Sequence, residues 1–221
     1  MPDLKTPLHL KMMRHFQQSR ESLPVRLYRG LKRELAPPSL YGLSWGDPET
    51  VEPLKFVRDR YVLPYVRGDQ SALEIGPGGG RWTRYLVSFR KLYVVDYYSE
   101  ALEELRKNVH RPNMEFIRNN GTDFPGVQGN SIDYLFSFGT FVHLDVPIIE
   151  DYLRNMKPLL RRGSNVVLHY SDKTKVMAQL NAGFSENNPN TMRRLVVENG
   201  YKILEEDLTS MWHSSLVRFT I

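Results

Sequence analysis

The 221-residue sequence contains no cysteine. This absence excludes disulfide scaffolds, thiolate zinc sites and cysteine nucleophiles, and it is compatible with a reducing compartment. No apolar run approaches the roughly 18 residues of a membrane span. The first residues also lack the apolar stretch of a secretory signal. We therefore expect a cytoplasmic protein without a membrane span.

The positive charge is concentrated near the N-terminus. Residues 1–36 carry eight Lys or Arg and three Asp or Glu, whereas residues 37–221 carry 22 of each. An enzyme that binds nucleic acid more often has a basic stripe around its active site, so we expect no nucleic-acid partner. Residues 8–34 predict one or two amphipathic helices. Their basic face is either simply solvated or contacts an anionic partner or a second copy of the chain.

From residue 70 onward, predicted strands and helices alternate. The predicted strands are 71–75, 92–95, 114–117, 132–138, 165–170, 201–205 and 215–221, and the predicted helices are 81–88, 100–109, 146–160 and 191–199. Such alternation predicts a Rossmann-like α/β fold, with a mostly parallel sheet covered by helices on both faces. We expect a helical extension or cap over residues 1–69, including a helix that begins after Asp47, and one domain over residues 70–221.

A glycine-rich loop, GPGGGR, follows the first predicted strand. Glycines let the backbone turn sharply and approach a ligand closely, and the next helix offers unpaired N–H groups. The dinucleotide fingerprint G-x-G-x-x-G would require glycine at the position of Arg81. Glu74, just before the loop, would repel a pyrophosphate and attract a sulfonium or an ammonium group. The loop therefore favours a cationic cofactor over a dinucleotide.

This segment resembles motif I of the class I S-adenosylmethionine-dependent methyltransferases, E/D-x-G-x-G-x-G. The match falls on Glu74, Gly76, Gly78 and Gly80, and the resemblance covers roughly residues 70–221. It implies that the loop borders the methionine part of S-adenosylmethionine. It also implies a seven-stranded sheet in the order 3-2-1-4-5-7-6, with the last strand antiparallel.

Polar side chains after the second and third predicted strands are candidates for binding the nucleoside. Asp96 ends the second strand, where a carboxylate accepts hydrogen bonds from both ribose hydroxyls, a device that dinucleotide-binding folds share. The resemblance implies that Tyr97 packs against the adenine.

The segment after the third strand is Asn120-Gly121-Thr122-Asp123. The family commonly has an acidic residue here that meets the adenine amino group. Asn120, through its amide oxygen, and Asp123 are both candidates, and a plain turn is the alternative interpretation.

The fourth predicted strand resembles the family's motif IV, N/D-S-x-D-x-x-x-S. In this comparison Asp133 has a structural role, and Gly139 permits close approach to the cofactor. Phe138, beside Gly139, is expected to be among the cofactor-binding residues.

Methyl transfer from a sulfonium is an in-line displacement, and a hydroxyl acceptor needs a base near neutral pH. His143, after the fourth strand, and His169, at the end of the fifth, are the candidate bases, and each is alternatively a pocket wall. Asp145 is a candidate to orient His143. His110 and His213 are expected to be peripheral.

We expect no metal site, because Asp145 and Asp172 offer two oxygens without an evident third ligand. The expected function is S-adenosylmethionine-dependent methylation of a small-molecule acceptor, with O-methylation of a sugar or natural-product hydroxyl preferred. N-methylation, a non-catalytic methyltransferase-like binding protein and a nicotinamide-linked dehydrogenase are the alternatives.

Overall fold

The computed structural model describes Gly42 and residues 45–221. The predicted helices over residues 8–34, in the segment with the excess of basic residues, lie outside the described residues. Within the described part of the chain, no helix is both long enough and apolar enough to cross a bilayer.

Seven strands of the described residues form one sheet. They are β1 (Ser71–Ile75), β2 (Lys91–Asp96), β3 (Met114–Arg118), β4 (Ile132–Ser137), β5 (Leu160–Ser171), β6 (Lys202–Asp207) and β7 (Ser214–Thr220). Their order is β3-β2-β1-β4-β5-β7-β6. Strands β1 to β5 pair in parallel, and β7 is antiparallel to both β5 and β6. The predicted fold class and strand order are confirmed.

Helices precede or connect the strands. They are α1 (Glu52–Val57), α2 (Thr83–Leu86), α3 (Ser99–Asn108), α4 (Val146–Met156), α5 (Val176–Gln179) and α6 (Pro189–Glu198). After α1 the chain continues through a π-helical turn and a 3-10 turn as far as Tyr65.

Several predicted boundaries differ from the structure: α2 is shorter than the predicted helix 81–88, α6 begins two residues before residue 191, and β5 begins at Leu160 rather than at residue 165. Two helix boundaries have a clear physical reason. The helix expected after Asp47 begins instead at Glu52, because the Asp47 carboxylate accepts the N–H of Glu49 at 2.9 Å and closes a separate turn. Helix α4 ends at Met156 rather than at residue 160. Pro158 lacks the N–H that would continue the helical hydrogen bonds, and a 3-10 turn leads into β5.

Successive side chains of each strand point to opposite faces of the sheet, so an apolar layer lies on each face. Leu73 packs with residues of α4 and α6 on one face. Tyr134 packs on the other face, in a layer that also contains Val57 and Tyr61. The stretch before residue 70 thus contributes to the core, and the predicted division at residues 69 and 70 stays a prediction.

The parallel strands determine where a ligand would bind. Since β1 to β5 are parallel, their carboxyl ends lie at one edge of the sheet. The order of connection reverses between β1 and β4, which opens the crevice where ligands bind in such sheets. The glycine loop and the loops after β2, β3, β4 and β5 all emerge at this edge.

Candidate functional site

The glycine loop requires glycine at several positions. Gly76, Gly78 and Gly80 have φ values of +68°, +54° and +103°, which L side chains rarely adopt. A Cβ on Gly76 would lie 1.9 Å from Oγ1 of Thr140, and one on Gly80 would lie 2.7 Å from Val109. The loop therefore packs directly on the segment that follows β4.

Glu74 is a buried carboxyl group beneath this loop. It is 2% exposed, and one oxygen accepts the hydroxyl hydrogen of Thr83 at 2.6 Å. Burial raises the pKa of Glu74 to about 8, against the opposing hydrogen bond from Thr83 and charge of Arg81 and with a smaller upward contribution from the charge of Asp96. A cationic ligand at the loop would favour the ionised form of this carboxyl.

Asp96 ends β2 as the sequence predicts. It is 8% exposed, and its Oδ1 accepts the backbone N–H of Tyr98 at 2.9 Å. Burial raises the pKa of Asp96 to about 6. A buried carboxyl with oxygen lone pairs at the mouth of the crevice suits a ligand that brings hydroxyl donors.

Tyr97 and Gly121 lie side by side at the next turn. Tyr97 is 49% exposed, and a Cβ on Gly121 would lie 3.7 Å from its ring atom Cδ2. Gly121 has a φ of +111°, so the loop keeps no side chain over the tyrosine ring. An exposed ring of this kind offers a flat apolar surface to a planar base.

Sequence reasoning did not single out Asn119, the first residue after β3. It is buried, and its Nδ2 donates to the hydroxyl oxygen of Tyr152 at 3.0 Å and to the carbonyl of Asp123 at 3.2 Å. Because side chains alternate along β3, the side chain of residue 119 is expected to point inward, and this alternation could have identified Asn119 from the sequence. Asn119 therefore anchors the loop to α4.

The loop itself closes as a hydrogen-bonded turn. Oδ1 of Asp123 accepts the N–H of Asn120 at 2.8 Å, and Oδ1 of Asn120 accepts the N–H of Thr122 at 3.0 Å. The structure thus contains the turn that the sequence left as an alternative. Contact of Asn120, Thr122 or Asp123 with a base stays a prediction.

Phe138 lies in a row of aromatic rings on one face of the sheet. Its ring stacks on His169 with centroids 3.9 Å apart and an interplanar angle of 6°. Trp82, next to the glycine loop, packs against it at 4.7 Å. Phe138 is buried between these rings, and its contact with a cofactor stays a prediction.

The hydrogen bonds of His169 determine its protonation state. The backbone N–H of Gly139 donates to Nδ1 at 3.1 Å, so Nδ1 carries a lone pair. The ring proton is then on Nε2, which donates to Oγ of Ser214 at 2.5 Å. Burial, at 2% exposure, holds the pKa of His169 well below its usual range. Both nitrogens are engaged, so in this arrangement His169 has no lone pair for an acceptor.

The prediction that His213 is peripheral is wrong. Its Nδ1 lies 2.8 Å from Oγ of Ser214, and its ring centroid lies 6.2 Å from that of His169. Because Ser214 already accepts from His169, its hydroxyl can donate to His213. The antiparallel pairing of β7 with β5 brings this residue to the site, since Ser214 is paired with Ser171 at the end of β5.

His143 lies on the loop after β4, as expected. Its Nδ1 is 2.7 Å from the carbonyl of Gly183, which only accepts, so Nδ1 carries the proton and Nε2 the lone pair. Burial lowers the pKa of His143, and the ring is therefore neutral at pH 7. The carbonyl of Gly183 therefore orients the His143 ring, a role that the sequence analysis gave to Asp145. Asp145 is exposed, and its backbone carbonyl accepts the N–H of Ile149 at the start of α4.

Phe184 is a site residue that sequence reasoning missed. Its ring lies edge-to-face with His143 at 5.4 Å and with His213 at 5.2 Å. It belongs to an irregular segment between α5 and α6, where no periodicity marks it. Two neutral imidazoles and a phenyl ring thus form one wall of the site.

Among the described residues, no cluster of three or more His, Asp or Glu side chains is arranged to hold a metal ion. Asp172, one of the two carboxylates considered for that purpose, accepts hydrogen bonds from Thr174 at 2.5 Å and from Ser215 at 2.7 Å. It fastens the end of β5 to β7.

Comparison with known proteins gives one family match. Residues 72–163 match the sequence model of a family described as "Methyltransferase domain". The matched segment runs from β1 to the first residues of β5 and contains the glycine loop, Asp96 and His143. No curated protein matches the sequence closely enough to identify a relative.

Solved structures share the fold at low sequence identity. An S-adenosylmethionine-dependent methyltransferase from Mesorhizobium loti is 14% identical with a TM-score of 0.64, covering 78% of this chain and 99% of that one. One from Aquifex aeolicus is 15% identical with a TM-score of 0.59, covering 87% and 98%. A geranyl diphosphate methyltransferase solved with S-adenosylmethionine is 13% identical with a TM-score of 0.63, covering 86% and 94%.

Proposed function

We propose that this chain, a class I S-adenosylmethionine-dependent methyltransferase, methylates a hydroxyl group of a small-molecule acceptor. The observation that carries the proposal is the state of His143. Its Nδ1–H is held by the carbonyl of Gly183, so Nε2 is the basic nitrogen of a ring whose loop follows β4 at the carboxyl edge of the sheet.

The residues present fit the cofactor. The buried carboxyl of Asp96 would accept from the ribose hydroxyls, Tyr97 would pack against the adenine, and the loop above Glu74 would border the methionine end. When bound, S-adenosylmethionine supplies a methyl group on a positively charged sulfur. The carboxyl of Glu74 favours that positive charge, provided that it ionises when the cation arrives.

The segment that carries His143 lies close to the glycine loop in space. Oγ1 of Thr140 lies within 3.5 Å of the carbonyl oxygens of Ile75 and Gly76, and the N–H of His143 donates to the carbonyl of Thr140 at 3.0 Å. One turn of chain thus separates the imidazole from the loop that borders the methionine end. In this proposal His143 would accept the acceptor's hydroxyl proton on Nε2 as the oxygen bonds to the methyl carbon and the carbon–sulfur bond breaks, its electron pair going to the sulfur of the departing S-adenosylhomocysteine.

We assign the base to His143 rather than to His169. The lone pair of His169 accepts the N–H of Gly139, and its Nε2–H donates to Ser214. To act as a base, His169 would have to break a bond to the backbone inside a buried region, leaving that N–H unpaired. In this proposal His169 is a positioning residue for the loop that carries Gly139.

The wall formed by His143, Phe184 and His213 supports an organic small-molecule acceptor. Its rings offer apolar contact, and the balanced charge of residues 37–221 offers no broad basic surface for nucleic acid. A fold neighbour named geranyl diphosphate methyltransferase illustrates that this architecture accommodates small organic acceptors.

The test is a methyltransferase assay that detects S-adenosylhomocysteine release over a panel of small hydroxyl and amine compounds. For a hydroxyl acceptor, we expect His143→Ala to lower kcat by about 10²–10⁴-fold, the usual contribution of a general base. Binding of S-adenosylhomocysteine, measured by calorimetry, is expected to stay within twofold of wild type, about the scatter of surface substitutions.

His110→Ala is the matched control, because His110 is exposed and packs on Phe116 away from the site. An amine acceptor whose turnover survives His143→Ala would replace O-methylation with N-methylation. Tight cofactor binding without turnover of any compound in the panel would favour a non-catalytic role.

A further inference from the structure

Arg81 is a charged residue that the motif does not require, and it is buried. The residue is 8% exposed, and its Nη1 donates to the carbonyls of Gly42 at 3.0 Å and of Gly46 at 3.4 Å. The guanidinium carbon lies 5.8 Å from the ring centroid of Trp82 and 5.5 Å from that of Phe138. Arg81 thus joins the glycine loop to a segment that precedes the sheet.

We call Gly42 and residues 45–49 the strap. Two further side chains next to Arg81 hold it: Arg84 forms an ion pair with Asp47, and the hydroxyl of Tyr85 donates to Glu49 at 2.5 Å. Both side chains belong to α2, so the strap is attached along the start of that helix.

The strap is bonded to a guanidinium that lies beside the carboxyl end of β4. Nη2 of Arg81 is 3.8 Å from the position of a Cβ on Gly139, at the carboxyl end of β4, and Arg81 itself follows the glycine loop of β1. These two strands flank the point where the strand order reverses. Gly42 and Gly46 have φ values of +103° and +107°, conformations that favour glycine.

We propose that Arg81 is a positioning residue for the cofactor: it holds the strap across the crevice and thereby slows the release of the bound molecule. The inference rests on the cofactor placement in the proposed function. Arg81 suits the task because a planar guanidinium can donate to two carbonyls while its faces pack on aromatic rings.

The test measures the dissociation rate of S-adenosylhomocysteine by stopped-flow tryptophan fluorescence, together with calorimetric affinity and melting temperature. We expect Arg81→Met to dissociate roughly tenfold faster, the change that corresponds to losing hydrogen bonds from a charged donor. Arg81→Lys is expected to recover part of the effect, because one ammonium group cannot reproduce the fork of donors.

Asp47→Ala loosens the strap without touching Arg81, and we expect a smaller acceleration of about two- to fivefold from the loss of a partly buried ion pair. If Arg81→Met does not fold, the dissociation rate of Asp47→Ala tests the inference in its place. Arg106→Met is the control, since this exposed residue of α3 packs over Phe116.

Wild-type dissociation rates in both Arg81→Met and Asp47→Ala would overturn the inference, even with a lowered melting temperature. Failure of the wild-type protein to bind S-adenosylhomocysteine would instead overturn the cofactor placement. The two failures are therefore distinguishable.

Discussion

Gly139 donates its backbone N–H to Nδ1 of His169 at 3.1 Å. A backbone N–H can only donate a hydrogen bond, so this bond determines which atoms donate and which accept in the hydrogen bonds of His169 and Ser214. The proton of His169 is directed to Ser214, and the hydroxyl of Ser214 to His213. The loop after β4 is thus connected to the wall formed by His143, Phe184 and His213.

Replacing His169 tests this bond. We expect His169→Ala to lower the free energy of unfolding by about 2–4 kcal/mol, because the N–H of Gly139 and the hydroxyl of Ser214 lose their partner in a buried cavity. Asparagine can place its Oδ1 near the position of Nδ1, so His169→Asn is expected to cost less. Urea unfolding measures both, and equal losses would show that the Gly139 bond contributes nothing.

The direction of the hydrogen bonds that link Gly139, His169, Ser214 and His213 can be observed in solution. Long-range ¹H–¹⁵N spectra at pH 7.5 are expected to show the proton on Nε2 in His169 and His213 and on Nδ1 in His143. Ser214→Ala should shift the signals of His169 and His213. Ser215→Ala is the control, because the Ser215 hydroxyl donates to Asp172 and takes no part in these hydrogen bonds. A proton on Nδ1 of His169 would contradict the assignment.

Asp96 is expected to hold the ribose. Asp96→Ala should weaken S-adenosylhomocysteine binding by about 1–3 kcal/mol, the cost of removing a hydrogen-bonding carboxylate. Asp96→Asn should cost less, since an amide oxygen still accepts the N–H of Tyr98. Calorimetry checks both, with the exposed Asp151→Asn as control. Unchanged affinity in Asp96→Ala would remove the residue from the site.

Glu74 makes the stability of the cofactor-free protein depend on pH. Its folded pKa of about 8 lies above the ordinary value of 4.5, so between these values the unfolded chain releases a proton that the folded chain keeps. Stability therefore falls as pH rises from 4.5 to 8. Glu74→Gln can still accept from Thr83 and cannot ionise.

We expect the melting temperature of Glu74→Gln to exceed that of wild type at pH 8.5 and to match it near pH 4.5. Buried His169 produces the opposite slope below its unfolded pKa, so the difference between variant and wild type isolates the contribution of Glu74. A difference that does not change with pH would show that Glu74 is ionised throughout.

The activity should also report the titration of His143. Burial lowers its pKa from 6.5, so the base is neutral at pH 7 and becomes protonated only at lower pH. With a hydroxyl acceptor, kcat should stay level through pH 7 and fall as pH drops below 6.5. A loss of activity that begins above pH 7 would contradict this assignment.

The sequence was sufficient for the sheet and for the position of the glycine loop. Alternating strands and helices predict the layers, and Glu74, Gly76, Gly78, Gly80 and Asp96 lie at or just after the ends of strands whose position determines which edge they reach. These signals are local, because strand periodicity and positive φ depend on a few neighbouring residues.

The acceptor wall could not be predicted in the same way. His213 is 44 residues beyond His169, and Phe184 lies in a segment without periodicity, so only the pairing of β7 with β5 and the path between α5 and α6 bring them together. The partner of His143 is likewise a backbone carbonyl 40 residues away.

The sequence alone therefore determined the fold class, the strand order implied by its motifs, and the cofactor. Only the tertiary structure decided the hydrogen-bond partners of His143 and His169, what Arg81 holds, and that His213 lies beside His169 and Phe184. The physical reason is that a side chain's protonation and orientation depend on the partners that long-range packing supplies, and residue type by itself does not specify those partners.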